Sequence, residues 1–527
     1  MVLATDWWVG QTPGMQGTSG PTRVELLDAQ AHCRHLVPDG SVHAFLADHR
    51  QQLFPDQLFA DLFPSSRGRP SVPADVIATV MVLQALEGLS DREACQQLAC
   101  NIAWKVACGL VLTDAGFHLS VLTLWRARLR ASDRPERIFE VICQVVDATG
   151  VLGGRTRRAL DSTLLDDAVA TQDTVTQLVA AIRRVRQLVP AAAACQLGGH
   201  DYDHQPGKPT CAWDDSAARQ QLVSALVNDA LVVLAAVEGT DAELDDRQAE
   251  AVGLLGIVAG QDVEPGGQPG SWRIARKVTP DRVISVVDPD TRHMHKSVSS
   301  YRDGYKAHLA VEPETGLITA TALTPANAAD GPTGVELVDG EPEGLEVLAD
   351  SAYGGGRTRT ALGSAGHQQT IKPIPLRAAV PGGYTKDDFA IDLQTRTVTC
   401  PAGHTVPVTP KGQAAFKQRC ASCPLRQRCT TATGGRTVQV YPWEAELQAA
   451  RRQATNPWFQ ASYRRWRPMV ERSIAWLVAG GNRRVRYRGV GRNQHWLSLR
   501  VAAINLRRLV NLGLGRNPTG WVLSAQG

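Results

Sequence analysis

The sequence predicts an α/β protein: an all-helical N-terminal region, then a strand-bearing core interrupted by a helical insertion and by a Cys-rich insertion. Three observations carry this. Apolar residues recur at helical spacing from Val72 to about Gly150, strand-like alternation takes over at Arg157 and returns in several later runs, and four of the eleven cysteines crowd between Cys400 and Cys429. A chain of 527 residues with 43% hydrophobic and 20% charged residues can build about three ordinary globular domains. We expect boundaries at residues 1–152 (helical), 153–380 with 451–515 (α/β core, carrying a helical insertion at about 168–275) and 381–450 (Cys-rich insertion).

In the helical region Pro73 suits a first helical position, and Val76, Ile77, Val80, Leu83, Gln84 and Leu86 trace a largely apolar face. A second helix is announced by Ser90-Asp91-Arg92-Glu93, which reads as a capping box before Ala94, Leu98 and Ile102. The short link Glu87-Gly88-Leu89-Ser90 resembles that of a helix-turn-helix, with a plain helical bundle as the equal alternative. Leu122 to Arg130 forms a basic, Trp-containing helix suited to lie on a phosphate backbone.

From Arg158 to Asp166 the alternation of a strand puts Asp161, Thr163 and Leu165 on one face. Helices are expected at Gln172–Val189 and Ser216–Val237, and the Gly/Pro-rich stretch Val263–Ser271 closes the insertion. Strands return at Arg282–Val287, Tyr305–Val311, Leu317–Leu323 and Leu345–Leu348, with a hairpin turn at Glu312–Gly316. The last run ends on Asp350, and an acid at the carboxyl end of a buried strand needs a metal or a partner. Helices at Ala454–Leu477 and Leu497–Leu512 complete the chain.

Charge is unevenly distributed. Residues 451–527 contain fifteen arginines, no lysine and a single acid, Glu471, whereas the preceding 450 residues hold 41 basic and 51 acidic side chains. Such a stretch reads as a surface for a polyanion, with the lone carboxylate kept for another task. Asp161 on a strand, Asp350 at a strand end and Glu471 on a helix together suit two divalent ions, because Mg2+ favours a few carboxylates plus phosphate oxygens. Tyr463, Arg467 and Glu471 share a helical face if Pro468 only kinks the helix, and lose that alignment if Pro468 starts a new one. Arg467 is then a candidate for a phosphate and Tyr463 or Trp466 for an unpaired base; an Arg467–Glu471 ion pair with core aromatics is the alternative.

Asp161-Ser162-Thr163, the run Asp303-Gly304-Tyr305-Lys306-Ala307-His308, Leu323-Thr324-Pro325-Ala326-Asn327, Leu348-Ala349-Asp350-Ser351-Ala352-Tyr353-Gly354 and Arg467-Pro468-Met469-Val470-Glu471 stand in the order seen in bacterial insertion-sequence transposases of the Asp-Asp-Glu type. The chain resembles these proteins from about Leu53 to Leu512, most closely the insertion-sequence family numbered eleven eighty-two. The resemblance implies a ribonuclease H-like catalytic core, an N-terminal helical DNA-binding domain, and Asp161, Asp350 and Glu471 as the ligands of Mg2+ or Mn2+. It implies double-stranded DNA with terminal inverted repeats, and target DNA, as partners, cleavage and strand transfer as the activity, and a homo-oligomer, a dimer, on DNA. The related pattern spaces Tyr and Arg by two residues and places a basic residue seven after the Glu. Here three residues separate Tyr463 from Arg467 and Val478 fills the last position, so Arg483 and Arg484 become the candidate phosphate ligands. The other readings are a catalytically silent DNA-binding regulator descended from a transposase, and a structure-specific endonuclease with the same core.

Cys400, Cys420, Cys423 and Cys429 suit a structural Zn2+ site, with His404 able to replace one ligand and free thiols as the alternative. The seven scattered cysteines read as buried thiols, and the start Met1–Gly10 lacks a basic segment followed by an apolar run. The longest apolar stretch, Ala230–Val237, is far short of a membrane span, so a cytoplasmic, nucleoid-associated protein with no membrane partner is expected. Asp166 and Asp167 read as supporting acids or helix caps, Asp288 and Asp290 as turn residues, and His200, Asp201, Asp203 and His204 as solvent-facing.

Overall fold

The structure is a computed structural model that describes residues 15–17, 26–65, 70–240, 243–277, 279–297 and 300–524, so the expectation for Met1–Gly10 lies outside the described residues. The N-terminal region folds as helices α1 (Val42–Leu53), α2 (Ala74–Glu87), α3 (Asp91–Cys100), α4 (Ile102–Cys108), α5 (Ser120–Ala131) and α6 (Arg137–Thr149). Helix α2 is buried at every position from Ala74 to Leu83, which its sequence allows because it is apolar all round. Pro73 is its N-cap, one position before the first helical turn. Gly88 closes α2 in the left-handed conformation, and the Ser90/Glu93 capping box starts α3 as its sequence demands. Helix α5 departs from expectation. Its Trp125 is 1% exposed, Arg126 pairs with Asp91, and the Arg128 guanidinium lies 4.6 Å from the Phe63 ring centroid, so these side chains are used inside the helical region and not on a phosphate backbone.

The central sheet has six strands: β1 (Arg157–Asp166), β2 (Arg292–Ser297), β3 (Ser300–Val311), β4 (Ile318–Pro325), β5 (Glu346–Ala349) and β6 (Gln368–Ile371). It is mixed. β1 and β3 are antiparallel, as are β3 and β4 and β2 and β3, whereas β1–β5 and β5–β6 run parallel. The path across it is β2-β3-β1-β5-β6, with β4 on β3. Ala159 and Leu165 of β1 pack with Tyr305, Ala307 and Leu309 of β3 on one face. Leu160 packs with Ala310, Val347 and Ala349 on the other.

Between β1 and β2 comes the helical insertion, α7 (Thr174–Leu188), α8 (Ser216–Glu238) and α9 (Asp246–Gln261), with a separate apolar core. By length and composition alone α8 is apolar enough to cross a membrane, but it buries Val223, Leu226, Val227, Ala230 and Val233 in that core. The expected strand at Arg282–Val287 is absent. Val283 and Ile284 are 2% exposed, but single residues take the place of a neighbouring strand: the Gln261 and Gln177 side-chain amides bond to Val283, the Gln172 backbone N–H donates to the Ile284 carbonyl, and the Gln172 side-chain oxygen accepts the Val286 N–H.

Four short helices matter: α10 (Asp330–Glu336), between β4 and β5, and α11 (Gly356–Ser364), between β5 and β6, cover the Leu160 face, and α12 (Glu444–Ala454) and α13 (Pro457–Trp466) follow the Cys-rich segment. Helix α14 (Pro468–Val478) lies on β1 and β3, and α15 (Val490–Asn511) is wedged between the sheet and the N-terminal helices. Leu497, Val501 and Ile504 of α15 face the sheet core, while Leu499, Ala502, Ala503 and Leu506 complete the N-terminal core. Its polar residues finish the sheet edge. Asn505 exchanges two hydrogen bonds with the Ile318 backbone at 2.9 and 2.8 Å, and Gln494 accepts the Leu323 N–H at 2.7 Å.

Candidate active site

β1 alternates, so Asp161 shares its face with Ala159 and Leu165, beneath α14. Asp350 directly follows β5, whose Leu348 is on that same face, and its carboxylate accepts the Ala352 N–H at 2.9 Å to cap the turn Ser351–Tyr353. Glu471 lies in the first turn of α14. Pro468 is the first residue of that helix, but Arg467 before it keeps helical angles (φ −61°, ψ −34°) and its N–H still bonds to the Tyr463 carbonyl at 3.1 Å. A proline tolerated at a first turn thus joins α13 to α14 without turning Arg467 away from Tyr463.

Arg467 stands between the acids. It is 4% exposed, with Nη2 2.9 Å from Asp161 Oδ2 and Nη1 3.8 Å from Glu471 Oε1. Its Nε and Nη1 are buried without a hydrogen-bond partner. Burial holds the Asp161 carboxyl above its usual range, Arg467 opposes this, and the charge of Asp350 adds to it. Burial also raises the Tyr463 phenol, with Arg467 opposing and Asp350, Asp161 and Glu471 reinforcing, so one ring senses all four groups. Arg467 thus contacts Asp161 closely and Glu471 more loosely, while Asp350 is felt there only through its charge.

The chemistry of this donor set, three carboxylates from a strand, a strand end and a helix, fits a hard divalent cation. Among the described residues, however, no three His, Cys, Asp or Glu side chains are gathered into a group that could hold a metal as they stand. Arg467 supplies the counter-charge to Asp161 and Glu471 instead.

The flanking residues are also placed. Tyr463 stacks on Phe459 (6.2 Å, 11° between planes), and the Lys372 ammonium lies 4.5 Å from its ring centroid. Trp466 is half-buried, with Arg157 and Arg465 at 4.8 and 4.3 Å from its ring. The segment around Arg483 and Arg484 runs beside the end of β1: the Arg483 guanidinium donates to the Leu164 carbonyl at 3.2 Å and Arg484 Nε to Asp167 O at 2.9 Å. Lys372 was missed by the sequence reading. It follows β6 directly, as Asp350 follows β5, and its N–H bonds to Ala349 O at 3.1 Å; a basic residue straight after an apolar parallel strand was the available signal.

The expected zinc finds no support. Cys400, Cys420, Cys423 and Cys429 line one small cavity with His404, Phe389 and Phe416, yet they are not gathered as a ligand shell. Cys420 and Cys429 are buried among Phe389, Val398, Phe416 and Val438, where a thiol packs as a small apolar group, and the Cys420 sulfur receives the Arg436 N–H at 3.4 Å.

The arginine-rich tail divides into two populations. Arg500 donates to the carbonyls of Trp476, Leu477 and Ala479 ending α14, and to those of Ala85 and Leu86 ending α2; burial lowers its pKa to about 10. Arg508 binds Thr315 O, Arg486 binds Gly88 O at 2.6 Å, and Arg451 pairs with Asp387 and Glu444. Arg464, Arg465, Arg472, Arg484, Arg488 and Arg492 are exposed. Among the remaining candidates, Asp166 pairs with Arg302, Asp167 accepts from Thr291, and Asp288 and Asp290 accept the Gly489 and Val490 N–H groups that open α15. Asp201 and His204 pair with each other at the surface, Asp203 pairs with Arg186, and the His200 ring bonds to Gln205 O.

Comparison with known proteins bears on both ends of the chain. Residues 399–510 match the family described as "Transposase DDE domain", and residues 33–128 match one described as "Transposase domain (DUF772)". No curated protein and no solved structure matches. The first match contains Arg467 and Glu471 with α14 and most of α15; the second contains α1 to α4 and most of α5. With transposase domains at either end and a mixed α/β sheet between them, the matches support a transposase of the insertion-sequence DDE type, a DNA-processing class that uses divalent metal.

Proposed function

We propose that the protein binds the terminal inverted repeats of an insertion sequence, cleaves the DNA there, and joins the freed 3′ ends to target DNA. The observation that carries this is the buried Arg467, paired with Asp161 and 3.8 Å from Glu471, within reach of the charge of Asp350 at the adjoining strand end. The strand path β4-β3-β1-β5-β6, antiparallel on one side of β1 and parallel on the other, supports a ribonuclease H-like core. Membership of the insertion-sequence family numbered eleven eighty-two, the layout of a helical DNA-binding region, a core and a Cys-bearing insertion, and a dimer holding two ends belong to the same proposal.

Asp161, Asp350 and Glu471 would hold Mg2+ or Mn2+, which when bound supplies positive charge to the phosphate oxygens and favours ionisation of the attacking group. The chain's own residues do the rest. The buried Nε and Nη1 of Arg467 have no hydrogen-bond partner, Nη1 lying 3.8 Å from Glu471, and suit two oxygens of a phosphate, which would draw the guanidinium off Asp161 and leave that carboxylate for the cation. Arg483 and Arg484 brace the end of β1, while Lys372 stands over Tyr463 and must move for a base to stack there. Water attacks first and a DNA 3′-hydroxyl later, so no covalent enzyme intermediate is required.

End-containing DNA incubated with Mg2+ or Mn2+ tests this reading. Wild type cuts at the element ends and yields joined products with a short target duplication. Asp161→Ala, Asp350→Ala and Glu471→Ala each bind that DNA and fail to cut it. Binding by wild type without cleavage would show a catalytically silent DNA-binding regulator, a reading that the ungathered carboxylates also suit. Cleavage without joining would show a structure-specific nuclease.

A further inference from the structure

Lys306, His308 and Tyr353, which lie in the quoted motifs but outside the three acids, converge on the face of the sheet opposite Asp161. Lys306 and His308 of β3 stand across from Leu164 and Ser162 of β1. They are 3% and 0% exposed. Lys306 Nζ donates to Ala328 O at 2.6 Å and lies 3.2 Å from Asp330 Oδ1, in the first turn of α10. Ser162 Oγ donates to the same carboxylate oxygen at 2.9 Å. His308 Nε2 is hydrogen-bonded to the Thr324 hydroxyl at 2.9 Å, and its Nδ1 is 3.7 Å from Asp330 Oδ1.

Tyr353 joins this group from the other side. It is 1% exposed at the end of the turn that Asp350 caps, and its hydroxyl is buried without a hydrogen-bond partner, so it joins the group through its ring. The fit around its ring is close: a Cβ on Gly334 of α10 would fall 2.6 Å from Tyr353 Cδ1 and 3.3 Å from Leu160 Cδ1, so only glycine fits there.

A buried ammonium, imidazole and carboxylate are a costly way to fill a core, since apolar residues of similar volume are often as stabilising or more so. The network's placement offers a reason for them. It grips both elements that carry the aspartates: Ser162 adjoins Asp161 on β1, and Tyr353 closes the turn whose first residue is Asp350.

We propose that Lys306, Asp330, Ser162 and Tyr353 form a positioning network that fixes the spacing of Asp161 and Asp350 from behind the sheet, so that the pair can take a divalent cation. This rests on the reading of those aspartates as cation ligands. None of the four touches the reacting groups; they act through Asp161 and Asp350. Mn2+ affinity, measured by calorimetry on the full chain without DNA, gives a readout independent of cleavage. Ser162→Ala removes the oxygen bonded to Asp330, and we expect it to keep the wild-type melting temperature while weakening Mn2+ binding about tenfold, the low end for residues that support metal ligands. Tyr353→Phe removes only an unpartnered hydroxyl and should change neither. Half-maximal cleavage should need correspondingly more metal, and Asp330→Asn should show the largest effect, partly reversed in Asp330→Glu. Unchanged Mn2+ affinity in Ser162→Ala and Asp330→Asn overturns the network's role, as does a loss that merely follows a lower melting temperature. A wild type that binds Mn2+ through Asp161 and Asp350 and cuts no DNA sinks the transposase reading and leaves this inference standing.

Discussion

At the scale of single residues the site is held by one cation. Arg467 is buried and paired with the mostly buried Asp161, whereas Glu471 is 67% exposed at its side chain and 3.8 Å away. Removing one partner of a buried pair strands the other, at a cost of about 3–5 kcal/mol, while an exposed pair contributes about 0–1 kcal/mol. Arg467→Gln should therefore lower the urea-unfolding free energy by about 3 kcal/mol, and Glu471→Gln should change it by about 0.5 kcal/mol or less. Equal effects would remove Arg467 from its role as the counter-charge of Asp161. His495 of α15 gives a pH-dependent counterpart. Burial pushes its pKa down to about 4, with Arg130 and Arg126 facing it and adding to the shift. The unfolded chain takes up this proton near pH 6.5 and the folded chain only near 4, so stability is intact above about pH 6.5 and declines as pH falls through that window. Unfolding curves at pH 7 and 5 should differ by on the order of 2 kcal/mol from this group, and His495→Gln should flatten that difference.

At the scale of elements, α15 and its arginine tie the protein together. Arg500 bonds the carbonyl ends of α14, which carries Glu471, and of α2 in the N-terminal region. Arg500→Met would leave several buried carbonyls without donors, each costing about 1–3 kcal/mol. We expect a loss of at least about 3 kcal/mol, seen as a lower melting temperature, with Arg500→Lys intermediate because an ammonium cannot span both helix ends. Elements were legible in the sequence where local pattern decides them. The strand with Asp161, the strand end at Asp350 and the capping box at Ser90 each read from neighbours a few residues apart. The failures share a cause in distant partners. Val283 and Ile284 look like a strand, but the Gln177 and Gln261 side chains and the Gln172 backbone N–H satisfy their backbone. Helix α5 looks like a basic surface, but Asp91 and Phe63 occupy two of its three arginines, Arg126 and Arg128. The four cysteines show ligand spacing, yet the fold seats two of them in an apolar cluster. The positions of the three acids on a strand, a strand end and a helix were readable from context, whereas the Asp330 contacts were not, since they form only once β1, β3 and α10 are packed together.

For the whole molecule the question is where a polyanion lies. The chain is acidic before Arg451 and basic after it, but composition alone overstates the basic surface, because Arg467, Arg486, Arg500 and Arg508 are bound to protein groups. Besides Arg452 and Arg516 near its two ends, the arginines the tail leaves exposed are Arg464, Arg465 and Arg472 on α13 and α14, around Glu471, and Arg484, Arg488 and Arg492 ahead of and into α15. A duplex tracking this surface would pass the three carboxylates with its backbone neutralised on either side of them. Each phosphate contact releases counterions, so log K falls with log salt by about 0.9 per contact on duplex DNA. Replacing Arg464, Arg465 and Arg472 by alanine should lower that slope by about 2–3 and weaken binding to end-containing and unrelated duplexes alike, since phosphate contacts carry no sequence information. Arg508→Met should leave the slope unchanged, because that side chain serves the Thr315 carbonyl. Titrations at several salt concentrations read both outcomes. An unaltered slope in the triple variant would move the DNA off the face that carries Glu471, and would separate the basic tail from the chemistry of the three acids.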